Sequence, residues 1–241
     1  MPLIRKVRCT VKRIDDHGDQ VYTLELIPEK EIPVFHPGQF LHLALDAYDP
    51  SGFWPESRVF SIASSPGERE LLSIAYSVRG RFTARMEREL CEGGWVWVKL
   101  PYGDFVIHGD SDVVLFAGGT GITAFTAFLR KLTPEFSHRV YLAYGARRRS
   151  LLIYRDLLQE LRAMVPQLQV FYFVERPESS PEDRGEETIG CLSVEAVWPK
   201  IGDPLRAKHY LSGPPQMLEA ISQDLRQWGM PAESIRIDAW D

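Results

Sequence analysis

Apolar and polar residues alternate through the first hundred positions of the chain and then stop alternating. "KVRCTVKRI" (6–14), "VYTLELIP" (21–28), "QFLHLAL" (39–45), "RVFSIASS" (58–65), "LLSIAYSV" (71–78) and "GWVWVKL" (94–100) carry the two-residue period of strands with one face in a core. Turn signals such as Asp15-Asp16-His17-Gly18 and Pro37-Gly38 separate them. Six such segments predict a small antiparallel barrel. One predicted helix, Thr83 to Leu90, interrupts them.

From about residue 111 the pattern changes. "DVVLFA" (112–117) is continuously apolar, as a strand buried on both faces must be. Phe125, Phe128, Leu129 and Leu132 then recur at helical spacing. Strand "RVYLAYG", a helix over Leu151–Met164, strand "QVFYFV", a short helix near Leu192–Val197, strand "HYL", a helix from Pro214 to Trp228 and strand "SIRIDAW" follow. Strands alternating with helices predict an α/β unit with a parallel sheet. The expected organisation is therefore two domains, an antiparallel barrel over 1–107 and a Rossmann-like α/β domain over 108–241. Their junction falls near "PYGDFVIHGDSD" (101–112). The charged, proline-containing stretch at 175–187 reads as a surface loop.

The 241 residues are enough for two cores, and a net charge of −5 argues against a general nucleic-acid binder. No apolar run approaches the roughly 18 residues of a membrane span, and the N-terminus lacks the apolar stretch of a signal peptide, so a cytoplasmic location is expected. Three distant cysteines, Cys9, Cys91 and Cys191, suit neither a disulfide framework nor a four-thiolate cluster, and no zinc spacing occurs. No metal is expected, and the chemistry points to an organic cofactor.

Gly119-Thr120-Gly121-Ile122-Thr123-Ala124 fits G-x-G-x-x-G/A after a buried strand and before a helix. Glycines there permit a tight turn and close approach of a pyrophosphate to helix-terminal amides. A purely structural turn is the alternative. No carboxylate stands at the end of the next strand to hold a ribose hydroxyl. Arg147, Arg148 and Arg149 stand there instead, which leans towards the 2′-phosphate of NADPH over NADH. Solvation of the next helix explains one or two of these arginines equally well, Arg149 above all.

Within the barrel, Arg58-Val59-Phe60-Ser61 lies on an alternating strand, with Arg58 and Phe60 on one face and Ser61 on the other. Arg79-Gly80-Arg81-Phe82-Thr83 leads into the short helix and offers a second anion site.

Together these segments resemble the ferredoxin–NADP⁺ reductase family of two-domain flavin reductases, over nearly the whole length and in the family's order. Pro37-Gly38-Gln39-Phe40 resembles its early barrel turn and Arg58-Val59-Phe60-Ser61 its flavin signature. Gly80-Arg81-Phe82-Thr83 resembles the flavin pyrophosphate turn, and Pro101-Tyr102-Gly103-Asp104-Phe105 the domain junction. Gly118 to Ile122 and Tyr144-Gly145-Ala146-Arg147 resemble its two nucleotide segments. The resemblance implies FAD, with FMN as an alternative, and NADPH or NADH as hydride donor. Arg58 would pair with the flavin diphosphate, Phe60 pack on the ring system and Ser61 hydrogen-bond near N5. Amides around Arg79, Gly80, Phe82 and Thr83 would take the remaining phosphate charge, and Gly119, Thr120, Gly121, Ile122, Arg147, Arg148, Gly213 and Pro214 would hold the nicotinamide nucleotide. Electrons would pass on to a separate protein such as a ferredoxin or an oxygenase component, with Arg79, Arg81, Arg85 and Arg88 as a basic rim or simply a solvated helix face. An electron-transfer subunit with weak nicotinamide use, and a reductase of exchangeable flavin, are the alternative readings.

Two departures stand out. Ser212-Gly213-Pro214-Pro215 replaces the family's usual Cys-Gly-Pro-Pro, and the resemblance puts Ser212 beside the reacting nicotinamide carbon, where slower transfer is expected. Ala124-Phe125 replaces a commoner alanine–proline pair. A hydrolytic role for Ser212 is disfavoured, because G-x-S-x-G is absent, His209 points to the opposite face and no acid partner is evident. Trp240, near the chain end, would cover the flavin or the adenine, or pack at the edge of the last strand.

Overall fold

The computed structural model describes residues 3–176 and 185–238. Trp240 lies outside them. Two compact units emerge, Met1–Val106 with Thr126–Lys131, and Ile107–Phe125 with Leu132–Asp241.

In the first unit the alternating segments become strands β1 (Arg5–Asp16), β2 (Val21–Pro28), β3 (Phe40–Ala44), β4 (Ser57–Ser61), β5 (Leu72–Ser77) and β6 (Trp95–Tyr102). They form one antiparallel sheet in the order β4-β3-β6-β1-β2-β5. Just beyond β4, the Ala63 N–H donates to the Ser73 carbonyl of β5 at 2.8 Å and draws the two ends of the sheet together. The barrel is thus nearly closed, as the alternation predicts. Its inward positions, including Leu24, Leu41, Leu43, Ile74, Val96 and Val98, are fully buried.

Helix α1 (Arg81–Glu89) buries Phe82 and Met86, one turn apart, against this core. It starts two residues before the predicted position. Gly80 is the N-cap and has no side chain to accept a bond, so Thr83 supplies the cap from the third helical position. Its Oγ1 accepts from the N–H groups of Gly80 (3.1 Å) and Arg79 (2.9 Å).

The turn and junction motifs meet at the end of this barrel. The Gln39 side chain accepts from the His36 N–H (2.8 Å) and donates to the Gly103 carbonyl (3.0 Å). Gly38, at φ +96°, leaves no room for a β-carbon, which would lie 2.5 Å from the Phe105 carbonyl oxygen.

The second unit contains β7 (Val113–Gly118), the start of α2 (Thr123–Leu129, grouped with the first unit from Thr126 on), β8 (Val140–Ala146), α3 (Arg155–Met164), β9 (Leu168–Val174), β10 (Thr188–Ile189), α4 (Val194–Val197), β11 (Lys208–Ser212), α5 (Pro215–Gln227) and β12 (Ile235–Asp238). The strands make an entirely parallel sheet in the order β10-β9-β8-β7-β11-β12. Every residue of β7 is buried, which explains its unbroken apolar run. Helix α3 begins at Arg155 rather than Leu151. Residues Leu151, Leu152 and Ile153 are buried in a 3-10 turn and its exit, and Tyr154 then takes a left-handed conformation (φ 61°) before the helix starts. The two-residue strand β10 carries no periodicity and is not predicted. Among the described residues no helix is long and apolar enough to cross a membrane.

Candidate functional site

In the parallel sheet, the chain leaves β7 to one side for β8 and returns on the other side as β11. This reversal makes a crevice beyond the carboxyl ends of β7 and β11, the place where open α/β sheets bind ligands. Gly118 ends β7 and Ser212 ends β11, side by side. The predicted glycine loop therefore sits at the switch point.

Close packing there demands glycine. A β-carbon on Gly118 would lie 2.5 Å from Met217 Sδ and 2.8 Å from Pro214 Cδ. One on Gly213 (φ +155°) would lie 3.0 Å from the Gly118 backbone, and one on Gly121 would overlap the Ser212 carbonyl. Gly119 differs. At φ +53° it has nothing within 4 Å of the place a β-carbon would take, so its outer side is open to a ligand. The chain then turns through a 3-10 segment, Gly119–Ile122, directly into α2, with Thr123 Oγ1 donating to the Thr120 carbonyl at 2.6 Å. An open left-handed glycine at the head of a helical segment suits a pyrophosphate.

Ser212 is 2 % exposed and donates its hydroxyl to Asp238 Oδ2 at 3.0 Å. Asp238 closes β12 directly opposite Ser212 in the parallel register and is itself buried. The fold thus supplies the acid partner that is not evident in the sequence. His209 supplies no base. It lies three residues earlier on β11, stacked near Phe116 and Trp198, with Nε2 bonded to the Pro204 carbonyl at 2.9 Å. Burial pushes its pKa down.

Beyond β8, Arg147 and Arg148 are exposed. Arg149 makes two 2.8 Å bonds to Glu187, which also pairs with Arg155 at 2.8 Å. The Arg149 contact holds the Glu187 carboxyl below its usual range. Glu187 is nearly buried, so the end of the 175–187 stretch is an anchor rather than a solvated loop. Residues 177–184 of that stretch lie outside the described residues.

On the barrel, β4 exposes Arg58, half-buries Val59 and Phe60, and buries Ser61. The Phe60 ring meets the edge of Tyr76, which stacks on Tyr22 at 5.3 Å. The Arg58 guanidinium lies over the Phe82 ring, 5.4 Å from its centre, at the start of α1. The Gly80 and Arg79 amides both donate to Thr83 Oγ1. The helix-start donors left without an intrahelical acceptor are those of the first turn, Arg81 to Thr83. That turn contains no acid, and the space beside Gly80 is open. An exposed guanidinium beside a helix whose own first turn carries no acid fits a diphosphate group.

Of the four arginines expected as a basic rim along α1, Arg81 and Arg85 are paired with carboxylates. Arg85 forks onto Asp46 (2.9 and 3.3 Å) and Glu89 (both 3.0 Å), and holds both carboxyls below their usual range. Arg81 reaches Glu56 at 3.3 Å. Arg79 and Arg88 are exposed. Sequence reasoning misses Asp238, Glu187 and Glu56 altogether. The one signal for Asp238 is an acid closing a short apolar strand; the other two look like ordinary surface charge.

A nearly closed antiparallel barrel together with a parallel sheet that has a glycine loop at its switch point is the architecture of two-unit dinucleotide-binding proteins. Known proteins agree. The sequence profile of the oxidoreductase NAD-binding domain matches residues 115–223. The reductase component of propane 2-monooxygenase from Rhodococcus jostii (strain RHA1) is 30 % identical over 248 residues, covering 98 % of this chain and 64 % of that protein. An Amycolatopsis cytochrome P450 reductase shares the fold with a TM-score of 0.82 at 22 % identity, over 99 % of this chain and 70 % of that one. A Neisseria gonorrhoeae ferredoxin NADP⁺ reductase with bound FAD and NADP has a TM-score of 0.76 at 17 % identity, over 98 % of each chain. The chain is similar to reductase components and to ferredoxin reductases, and it shares their two-unit fold. It spans about three fifths of the length of the curated relatives it matches.

Proposed function

We propose that this chain is a flavoprotein reductase that takes a hydride equivalent from NADPH or NADH and passes electrons to a separate protein, such as an oxygenase component or a ferredoxin. The observation that carries the reading is the glycine loop at the β7–β11 switch point, in a chain whose barrel presents Arg58 beside a helix whose own first turn carries no acid. The names of the relatives support the rest, since they include a monooxygenase reductase component and a ferredoxin reductase with FAD and NADP. On this reading the domains are a flavin-binding barrel (1–107) and a nicotinamide-binding α/β domain (108–241).

A bound flavin supplies the two-electron acceptance and the onward one-electron delivery. The chain's own residues do the positioning. Arg58 and the first-turn amides of α1 bind the diphosphate, Phe60 offers a flat apolar surface, and Ser61 provides a hydroxyl on the opposite side of the strand. The open side of Gly119 takes the nucleotide pyrophosphate, and Arg147 with Arg148 reads the 2′ position. Asp238 fixes the direction of the Ser212 hydroxyl. No nucleic acid is involved, and a cytoplasmic location suits both the nicotinamide substrate and the three free cysteines.

The test is direct. The purified chain should show an oxidised-flavin absorption near about 450 nm, either as isolated or after adding FAD, and should bleach with NADPH without oxygen. A preparation that stays colourless with added FAD and FMN would sink the reading. A second reading, an electron-transfer subunit with poor nicotinamide use, is favoured by one observation, the buried and already engaged Ser212 hydroxyl. Bleaching by dithionite but by neither nicotinamide would support it.

A further inference from the structure

Glu56 stands in the loop before β4, two residues ahead of Arg58. Its Oε1 lies 3.5 Å from Arg58 Nη2 and 3.3 Å from Arg81 Nη2, and its Oε2 lies 3.9 Å from Arg85 Nη1. Arg58 is folded back further, with Nη1 donating to the Ser57 carbonyl at 2.9 Å. Both cations at the anion site therefore point at a carboxylate supplied by the chain itself. Three guanidinium groups, Arg58, Arg81 and Arg85, face three carboxylates, Glu56, Asp46 and Glu89. These six side chains balance one another in charge without a ligand.

A diphosphate adds about two negative charges to a balanced site. Arg85 keeps its own two carboxylates, so the charge that must yield is Glu56, whose contacts are the longest in the cluster and lie at the surface. Surface ion pairs of this kind are weak and readily exchanged. We infer that Glu56 is an internal counter-anion that competes with a diphosphate ester for Arg58 and Arg81, so that the flavin is held exchangeably rather than permanently. The inference rests on the flavin reading above and names the residue that sets its affinity.

Competition makes the effect selective. Glu56→Gln keeps the shape and removes the charge, so ligands with a diphosphate should gain and those without should not. Dissociation constants of the apoprotein for FAD and riboflavin can be measured by flavin fluorescence, and for ADP by calorimetry. In Glu56→Gln, FAD and ADP should bind about three- to tenfold more tightly, the range set by one or two surface ion pairs. Riboflavin should be unchanged, FAD release should slow in proportion, and the gain should shrink at high salt. Glu29→Gln, which removes one surface carboxylate paired with Arg8 on β1, controls for net charge and should leave FAD affinity unaltered. Wild-type binding of FAD with equal or weaker binding in Glu56→Gln overturns the role of Glu56 and leaves the flavin reading intact. An equal gain in Glu29→Gln also overturns it, as a bulk charge effect. Absence of FAD binding in all three proteins overturns both the role and the reading.

Discussion

Ser212 and Asp238 end neighbouring parallel strands in register, and the serine hydroxyl donates to the carboxylate across 3.0 Å in a buried setting. The position where the family resemblance leads one to expect cysteine is therefore part of a hydrogen-bonded pair here. Ser212→Cys should raise the rate of flavin reduction by NADPH, followed by stopped-flow bleaching without oxygen. It should also lower stability by about 1 kcal/mol, because a thiol is a poor donor to Asp238. A rate equal to or below that of the wild type would show that the serine is no handicap.

Asp238→Ala leaves the Ser212 hydroxyl buried without its acceptor. A loss of about 1–3 kcal/mol in unfolding free energy is expected by urea titration. The double variant Ser212→Ala with Asp238→Ala should lose less than the two single losses added together, since it leaves no unpaired hydroxyl.

The glycines of the crevice should separate into two kinds. Gly121→Ala pushes a methyl into the Ser212 carbonyl and should cost about 1–3 kcal/mol, with loss of nucleotide binding. Gly119→Ala meets no atom and should cost about 1–2 kcal/mol for its left-handed conformation, yet weaken NADPH binding by crowding the open side. Thermal melting beside nucleotide titration distinguishes them.

Arg147→Ala with Arg148→Ala should reduce the preference for NADPH over NADH by about tenfold, the scale of one charge-assisted hydrogen bond. Arg149→Ala should act differently. It strands part of a nearly buried carboxylate, so melting temperature falls while the ratio of the two nicotinamide KM values holds.

His209 predicts acid lability. Burial lowers its folded pKa below the unfolded value near 6.5, so the unfolded chain binds the proton more readily. Its contribution is fully present above about pH 6.5 and is lost as pH falls through the lower folded pKa. Nδ1 is buried without a hydrogen-bond partner, so charging it has no compensation in place. His209→Gln retains a donor for the Pro204 carbonyl and cannot titrate. Its melting temperature should fall less than that of the wild type between pH 7.5 and pH 5.5; parallel falls would refute the assignment.

Strand positions are legible where burial has a period. "VYTLELIP" is β2 residue for residue, because every second side chain enters the barrel. "DVVLFA" betrays β7 because both faces of a central parallel strand are covered. Helix starts are less legible, since Thr83 caps α1 from inside and a left-handed Tyr154 delays α3. The same division runs through the candidate sites. Arg58, Phe60 and the Gly119–Ile122 loop are visible because local conformation displays them. Asp238 is invisible because its partner is 26 residues away and the pairing exists only once two strands align. Glu56 and Glu187 are invisible because a charge that meets an arginine in space reads, in sequence, as one that meets water.

Gly118 and Gly213 touch so closely that neither tolerates a side chain, and Met217 fills the space that both leave. The loop after β7 and the loop after β11, nearly a hundred residues apart, are thus a matched pair, like two halves of a mould. Exchanging residues 115–125 with those of a relative, while keeping 209–218, will succeed only when the donor's second loop carries the same glycine and methionine. For anyone recombining proteins of this fold, the transferable part is the pair.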